Sequence, residues 1–339
     1  MNQNKTKKTE MRYDPLFGRW VTIAGHRKSR PMNFCVAKEE CTTDLSVLFN
    51  PLAKITNEET HEETVLDVVR NSEGEVMVYV VPNKFPLLDA PGRTGVHTDG
   101  PYQVTQAKGA HELFVYRETD LALWDFSVKR TEYMFEAFQK RAMNTMRYKS
   151  IVSNFIFHNH GKEGGASLKH PHSQMLSLPV VPSDLDTILR NSEQYHKEYK
   201  RHLFEVVQDF EESEAQRVIY RNDDFLVFVP YAPYRSYEIM IMPREQAPHF
   251  EYMTPDKRVS LAVAFVKALH ALKKVLQKPD YNFFLYSAPV DGGKYQAMRW
   301  FIRIVPHHEK QGGVELGGGV RVCSTLPEVA ASEYRKSIR

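Results

Sequence analysis

Along the chain, short apolar or alternating runs are separated by turn-forming clusters, and longer stretches carry apolar residues at helical spacing. Trp20-Val21-Thr22-Ile23 reads as a short strand that runs into the basic residues Arg27, Lys28 and Arg30. Val65 to Val69 and Val76 to Val81 flank Asn71-Ser72-Glu73-Gly74, which predicts a β-hairpin. A Gly/Pro-rich loop at 90–101 and a strand over Glu112 to Tyr116 come next. Met134, Phe135, Phe138, Ala142 and Met146 predict a helix from Ser127 to Tyr148 whose stripe is buried core. Asn154 to Asn159 and His172 to Leu178 read as strands, followed by one long polar helix over Ser183 to Asp209. Residues 36–64 are polar and irregular, and Glu211-Glu212-Ser213-Glu214 reads as a solvated connector.

The second half repeats this plan. Val218 to Tyr220 and Phe225 to Val229 flank Arg221-Asn222-Asp223-Asp224, a second hairpin, and Tyr237 to Met242 matches the Glu112–Tyr116 strand. Thr254-Pro255 opens a helix with a cap and a first-turn proline, its apolar face being Val259, Ala262, Phe265, Val266, Leu269, Leu272 and Leu276. Asn282-Phe283-Phe284-Leu285 echoes Asn154-Phe155-Ile156-Phe157, and Arg299 to Pro306 echoes His172 to Pro179. The pattern predicts a duplicated α+β unit, an antiparallel sheet with helices packed on it. Residues 1–210 form the first half and 211–339 the second.

Composition narrows the function without naming it. The 339 residues are 42% hydrophobic and 26% charged, with a formal net charge of +3, too small to favour nucleic acid or a membrane surface as partner. No apolar run reaches the roughly 18 residues of a membrane helix. Cys35, Cys41 and Cys323 make no disulfide framework, and the polar start of the chain lacks a signal-peptide core. A cytoplasmic enzyme is the expectation.

The chemistry concentrates in Asn159-His160-Gly161, Gly164-Gly165-Ala166-Ser167 and His170-Pro171-His172-Ser173-Gln174. On a strand, residues two apart share a face, so His170, His172 and Gln174 point the same way. Pro171 stiffens the segment and biases His170 towards an extended conformation. A neutral His172 can attack phosphorus if a backbone carbonyl in the preceding loop holds its other ring nitrogen. Ser167, Gln174 and the N–H groups of Gly164, Gly165 and Ala166 are placed to receive phosphoryl oxygens. Two other readings compete. His158, His160, His170 and His172 could chelate a metal, or the fold could be a non-catalytic nucleotide-binding module, which predicts loss of the nucleophile. The second copy has lost the motif, with Arg299-Trp300-Phe301 in its place.

Over nearly its whole length the chain resembles the galactose-1-phosphate uridylyltransferase family of the histidine-triad superfamily. The matching pieces are Arg12-Tyr13-Asp14-Pro15-Leu16, Trp20-Val21, Arg27, Arg30-Pro31, Pro82-Asn83-Lys84-Phe85-Pro86 and His111-Glu112-Leu113-Phe114-Val115. Asn159-x-Gly161, the HPHSQ core and the Gly312 to Gly319 tail complete the set in order. The resemblance implies transfer of a nucleoside monophosphate from a nucleotide sugar, through a covalent nucleotidyl-His172, to a sugar 1-phosphate. It further implies that Arg27, Arg30, Asn83 and Phe85 contact the nucleotide, and Asn159, Gly165, Ala166, Ser167 and Gln174 its phosphates. Glu315 and Gly319 would lie near the sugar, and a homodimer would complete the site. An ADP-glucose or dinucleoside polyphosphate phosphorylase using the same histidine is the alternative.

Departures from the family pattern concern metals. Where relatives carry Cys-Pro-x-Cys this chain has Asn50-Pro51-Leu52-Ala53, and Asp120 stands where the third zinc-ligand histidine is expected. Of that set His170 alone remains. In the second half Arg299-Trp300-Phe301 replaces His-Trp-His. The expectation is a homologue with no metal and no cofactor, its His170 held by protein hydrogen bonds, with Asp120 as one candidate partner. Ser173 stands where galactose-specific relatives often have Gly, which directs attention to other nucleotide sugars.

Overall fold

The computed structural model describes residues 9–29, 65–93, 95–117, 121–168 and 170–338. Residues 36–64, among them Cys41 and Asn50 to Ala53, together with Arg30, Cys35 and Asp120, lie outside the described residues. The strands are β1 (Glu10–Asp14), β2 (Arg19–Ile23), β3 (Asp67–Arg70), β4 (Val76–Pro82), β5 (His97–Asp99), β6 (Tyr102–Val104) and β7 (Ala110–Tyr116). After helix α1 (Val128–Thr145) come β8 (Ser153–His160), β9 (His172–Leu178), α2 (Ser183–Tyr199) and α3 (Leu203–Glu214). The second half holds β10 (Val218–Arg221), β11 (Phe225–Phe228), β12 (Ile239–Pro243), α4 (Pro255–Leu276), β13 (Tyr281–Tyr286) and β14 (Phe301–Pro306). The chain ends in α5 (Gly313–Gly318), β15 (Arg321–Cys323) and α6 (Pro327–Ser337).

One ten-stranded sheet has the order β3-β4-β7-β9-β8-β13-β14-β12-β11-β10. Read from either edge inwards, each half supplies a hairpin, a third strand and then a pair, and the halves meet where β8 runs antiparallel to β13. The duplication is therefore physical as well as sequential. Both hairpins close on the same device: the Asn71 carboxamide oxygen accepts from the amides of Glu73 and Glu75, and that of Asn222 from Asp224 and Phe225.

Helices α1 and α4 cover one face. There Phe114, Phe135, Phe138, Phe265, Phe283 and Trp300 are buried, and apolar area removed from water is the main stabilising term. Ser127 starts α1 by accepting from the Arg130 amide at 3.3 Å. A bidentate buried pair, Arg141 Nε and Nη2 to the Glu112 carboxylate at 2.8 and 2.7 Å, fastens α1 to β7. On the opposite face, residues 14–17, α2 and α3 cover the second half with Leu16, Phe17, Ile188 and Phe204. The same face of the first half presents His111, Leu113 and Val115 from β7 beside His172 and Gln174 from β9.

Several expectations are corrected. The single helix over 183–209 is two, because Lys200 adopts the left-handed conformation at φ +56° and the chain turns to bury Leu203 and Phe204. The acidic run is not a solvated connector: it ends α3, and Glu211 is buried against Arg217 Nε at 3.0 Å. The loop at 90–101 contains most of a small β5–β6 hairpin. Val259 is exposed rather than on the buried face of α4, and Thr254 sits at that helix's N-cap position without a side-chain capping bond. Strand β1, strand β15 and helix α6 went unread, since none has a long periodic run. Among the described residues no helix is long and apolar enough to cross a membrane.

Candidate active site

His172 opens β9, pairs with Val115 of β7 and is 7% exposed. Its Nδ1 lies 2.9 Å from the carbonyl oxygen of His170. A carbonyl only accepts, so Nδ1 carries the proton and Nε2 keeps its lone pair. Nε2 makes no hydrogen bond among the described residues. Burial, which penalises the charged ring, lowers the His172 pKa below the ordinary histidine value. The arrangement is that of a neutral, oriented nucleophile, and the holder is the loop carbonyl that the sequence required.

His170 does a different job. Its Nε2 donates to the Tyr116 carbonyl at 2.8 Å, tying the start of β9 to the end of β7. This backbone oxygen is one partner of the ring; Asp120 lies outside the described residues.

Gln174, two residues beyond His172, shares its sheet face. Its Oε1 accepts from His111 Nε2 at 2.8 Å. Asn83 donates its backbone N–H to the His111 carbonyl at 2.8 Å, and its side-chain oxygen accepts from the Phe85 amide at 2.9 Å. This turn exposes the Phe85 ring, 71% accessible. Asn83, Phe85, Gln174 and His172 thus belong to neighbouring strands and one connecting turn.

Asn159 comes in from β8. Its Oδ1 accepts from Asn282 Nδ2 at 2.8 Å, and the same Asn282 nitrogen reaches the Gly164 carbonyl at 2.7 Å. The second half therefore holds the first half's loop. That loop needs its glycines. Gly161 sits at φ +75°, and a Cβ on Gly164 would lie 2.3 Å from the His160 carbonyl.

The expected amide cradle is corrected in part. The Gly165 N–H donates to the Lys162 carbonyl and the Ala166 N–H to the Gly161 carbonyl, both at 3.0 Å. A tight turn uses its own amides, so these two are not available to an anion. Ser167 is exposed at the end of the loop.

The four-histidine metal reading fails on strand geometry. His158 pairs with Ser173, and both are buried on the helix-covered face. His172 occupies the other face because successive residues alternate. His158 and His160 stack on the helix side, their ring centres 6.3 Å apart, and burial holds the His158 pKa well below the ordinary value. Among the described residues no group of three or more His, Cys, Asp or Glu side chains converges as a metal would need. Ser173 is also removed from the substrate side: its hydroxyl bonds Tyr116 Oη at 2.5 Å and His158 Nδ1 at 3.2 Å.

Arg27 and Glu315 lie elsewhere. They line one cavity of about 750 Å³ with Tyr237, His308, Glu309 and Lys310. Tyr237 precedes β12, which is four strand spacings from β9, roughly 19 Å across the sheet. Gly319 ends α5 in the left-handed conformation near that cavity's Glu315. His111 and Asn282 were missed by sequence reasoning. The signal for His111 was its i, i+2 relation to Leu113 on a strand facing Gln174; nothing local marked Asn282.

A family model, galactose-1-phosphate uridyl transferase, N-terminal domain, matches residues 1–182. ADP-glucose phosphorylase of Arabidopsis thaliana is 26% identical over 332 residues, 96% of this chain and 92% of that protein. Galactose-1-phosphate uridylyltransferase of Thermotoga maritima is 25% identical over 338 residues, 97% and 98% of the two chains. In fold the chain is similar to the crystal structure of the Arabidopsis thaliana ADP-glucose phosphorylase with bound ADP-glucose. The TM-score is 0.80 at 24% identity, over 97% of this chain and 99% of that one.

Proposed function

Because the chain belongs to the galactose-1-phosphate uridylyltransferase family, we propose that its His172 is the residue through which this nucleotidyltransferase moves a nucleoside monophosphate from a nucleotide sugar to a sugar 1-phosphate. The observation that carries the assignment is the hydrogen bond from His172 Nδ1 to the His170 carbonyl, which leaves Nε2 unprotonated. Nε2 attacks the α-phosphorus of the nucleotide sugar. A bond from nitrogen to phosphorus forms, the bond to the bridging oxygen breaks, and a sugar 1-phosphate leaves with that oxygen and its electron pair. The ring is now cationic at Nδ1–H, and its charge-assisted bond to the His170 carbonyl strengthens. A second sugar 1-phosphate attacks the same phosphorus and returns the ring to neutrality. Gln174 Nε2, Ser167 Oγ and the second N–H of Asn159 Nδ2, whose first reaches the Gly165 carbonyl at 3.4 Å, are the donors left for the phosphoryl oxygens, and Asn83 and Phe85 meet the nucleotide.

The reading extends to a cytoplasmic homodimer without a resident metal. Asn50, Ala53 and Asp120 replace metal-ligand positions implied by the resemblance, and His170 Nε2 is engaged by the Tyr116 carbonyl. In the second half Arg299 Nη1 donates to the Pro243 carbonyl at 3.0 Å, and Phe301 stacks on Tyr286 at 4.8 Å. Asn50, Ala53, Arg299 and Phe301 offer no thiolate or imidazole to a zinc or iron ion. The separation of Arg27 and Glu315 from His172 supports completion of the site by a second copy, with Arg27 and Arg30 on the nucleotide and Glu315 and Gly319 near the sugar.

Incubation with UDP-glucose and, in parallel, ADP-glucose labelled at the α-phosphorus tests the assignment. An acid-labile covalent label is expected on the wild-type chain and absent from His172→Ala. Label retained by that variant would overturn it.

A further inference from the structure

His111 is the buried titratable group that the reaction above leaves unused, and its surroundings give it a task. It lies on β7, 8% exposed, on the sheet face that carries His172 and Gln174, diagonal to Gln174 across the β7–β9 ladder. The Leu87 backbone N–H donates to Nδ1 at 3.3 Å, so in the neutral ring Nδ1 is the acceptor and Nε2 carries the proton. That proton goes to Gln174 Oε1 at 2.8 Å. The Asn83 amide nitrogen spans the ring edge, 3.3 Å from Nδ1 and 3.1 Å from Nε2, and the Leu87 amide and the Gln174 oxygen are what assign the tautomer.

A carboxamide has an acceptor end and a donor end, and only the second suits a phosphoryl oxygen. Left unconstrained, the Gln174 amide can present either. We propose that His111 is a positioning residue: by donating Nε2–H to Gln174 Oε1 it turns the Gln174 NH2 towards the phosphoryl group at His172. The inference rests on nucleotidyl transfer through His172. His111 touches no reacting atom. Its effect is to remove the competing amide orientation, in which a lone pair would face the phosphoryl oxygens during attack.

The test is the single-turnover rate of covalent labelling with α-labelled UDP-glucose and ADP-glucose, using whichever nucleotide sugar labels the wild-type chain. His111→Phe is expected to slow labelling about 10- to 100-fold, the range seen when a supporting hydrogen bond to a functional group is lost. Its loss should fall on the rate at saturation more than on the concentration giving half-maximal rate. His111→Gln places a nitrogen donor where Nε2 stands and should recover most of the rate. His111→Asn is too short to reach Gln174 and should not. The double variant His111→Phe/Gln174→Ala should be no slower than Gln174→Ala, because the removed bond has only one purpose. Losses that multiply in the double variant, or equal rates for His111→Gln and His111→Asn, overturn the proposal. If His111→Phe does not fold by thermal melting, the Gln and Asn variants decide it. A wild-type chain that takes no label would instead refute the transfer reaction itself, so the two failures are distinguishable.

Discussion

The Nδ1 of His172 stands 2.9 Å from the carbonyl oxygen of His170, the residue two places before it in the chain. The protonation pattern of the proposed nucleophile is thus fixed by its own backbone. Pro171, between them, has its φ fixed at about −65° and stiffens the backbone that carries both residues.

His172→Ala removes the nitrogen proposed to bond to phosphorus, and turnover of nucleotide sugar is expected to fall by a factor on the order of 10⁴. Coupled release of sugar 1-phosphate measures it. The fold should persist, because the neighbours of the ring belong to a ten-stranded sheet held by other residues.

Burial lowers the His172 pKa, and the neutral ring is the reactive form. The first half-reaction should therefore stay constant as pH falls through the ordinary histidine range and decline only below it. Single-turnover labelling against pH reads this directly. A decline that begins above the ordinary histidine pKa would assign the titration to another group.

Asn282→Leu keeps the branched heavy-atom outline of the side chain and deletes the donors to Asn159 Oδ1 and the Gly164 carbonyl. Leaving those buried acceptors unpaired should cost about 1–3 kcal/mol, measured by urea denaturation. The KM for nucleotide sugar should rise as well, because the loop and Asn159 lose their support from the second half.

Ser173 faces the helix side, bonded to Tyr116 and His158. Ser173→Ala is expected to lower stability by about 1–3 kcal/mol while leaving the ratio of UDP-glucose to ADP-glucose labelling unchanged. A changed ratio would mean that this hydroxyl reaches the substrate side through the strand.

Removal of metal should be without effect. Dialysis against a chelator is expected to leave both the melting temperature and the labelling rate where they were, with zinc well below one per chain by elemental analysis. About one tightly held zinc per chain would contradict the proposed metal-free site.

Periodicity made the duplicated plan readable, because hairpins closed by Asn71 and Asn222 and helices striped with Phe135, Phe138, Phe265 and Leu269 carry their signals within a short window. The break at Lys200 was not readable. A left-handed residue in a polar helix is selected by the need to bury Leu203 and Phe204, and that need arises from the distant Phe301. The acidic run at 211–214 misled for the same reason: Arg217 and Glu328, which pair around Glu211, meet only in the folded chain.

By itself the sequence pointed to the proposed nucleophile, the strand that presents it and the carbonyl that holds it, since two residues and one proline ring enforce those relations locally. Tertiary structure alone decided which groups surround it. Alternation across β8 and β9 placed His158 and Ser173 behind the sheet, and the turn consumed the Gly165 and Ala166 amides. Packing brought His111 to Gln174 from 63 residues away and Asn282 to Asn159 from 123. A hydrogen bond is decided within about 3 Å, and no distance along the chain predicts when two remote strands will come that close.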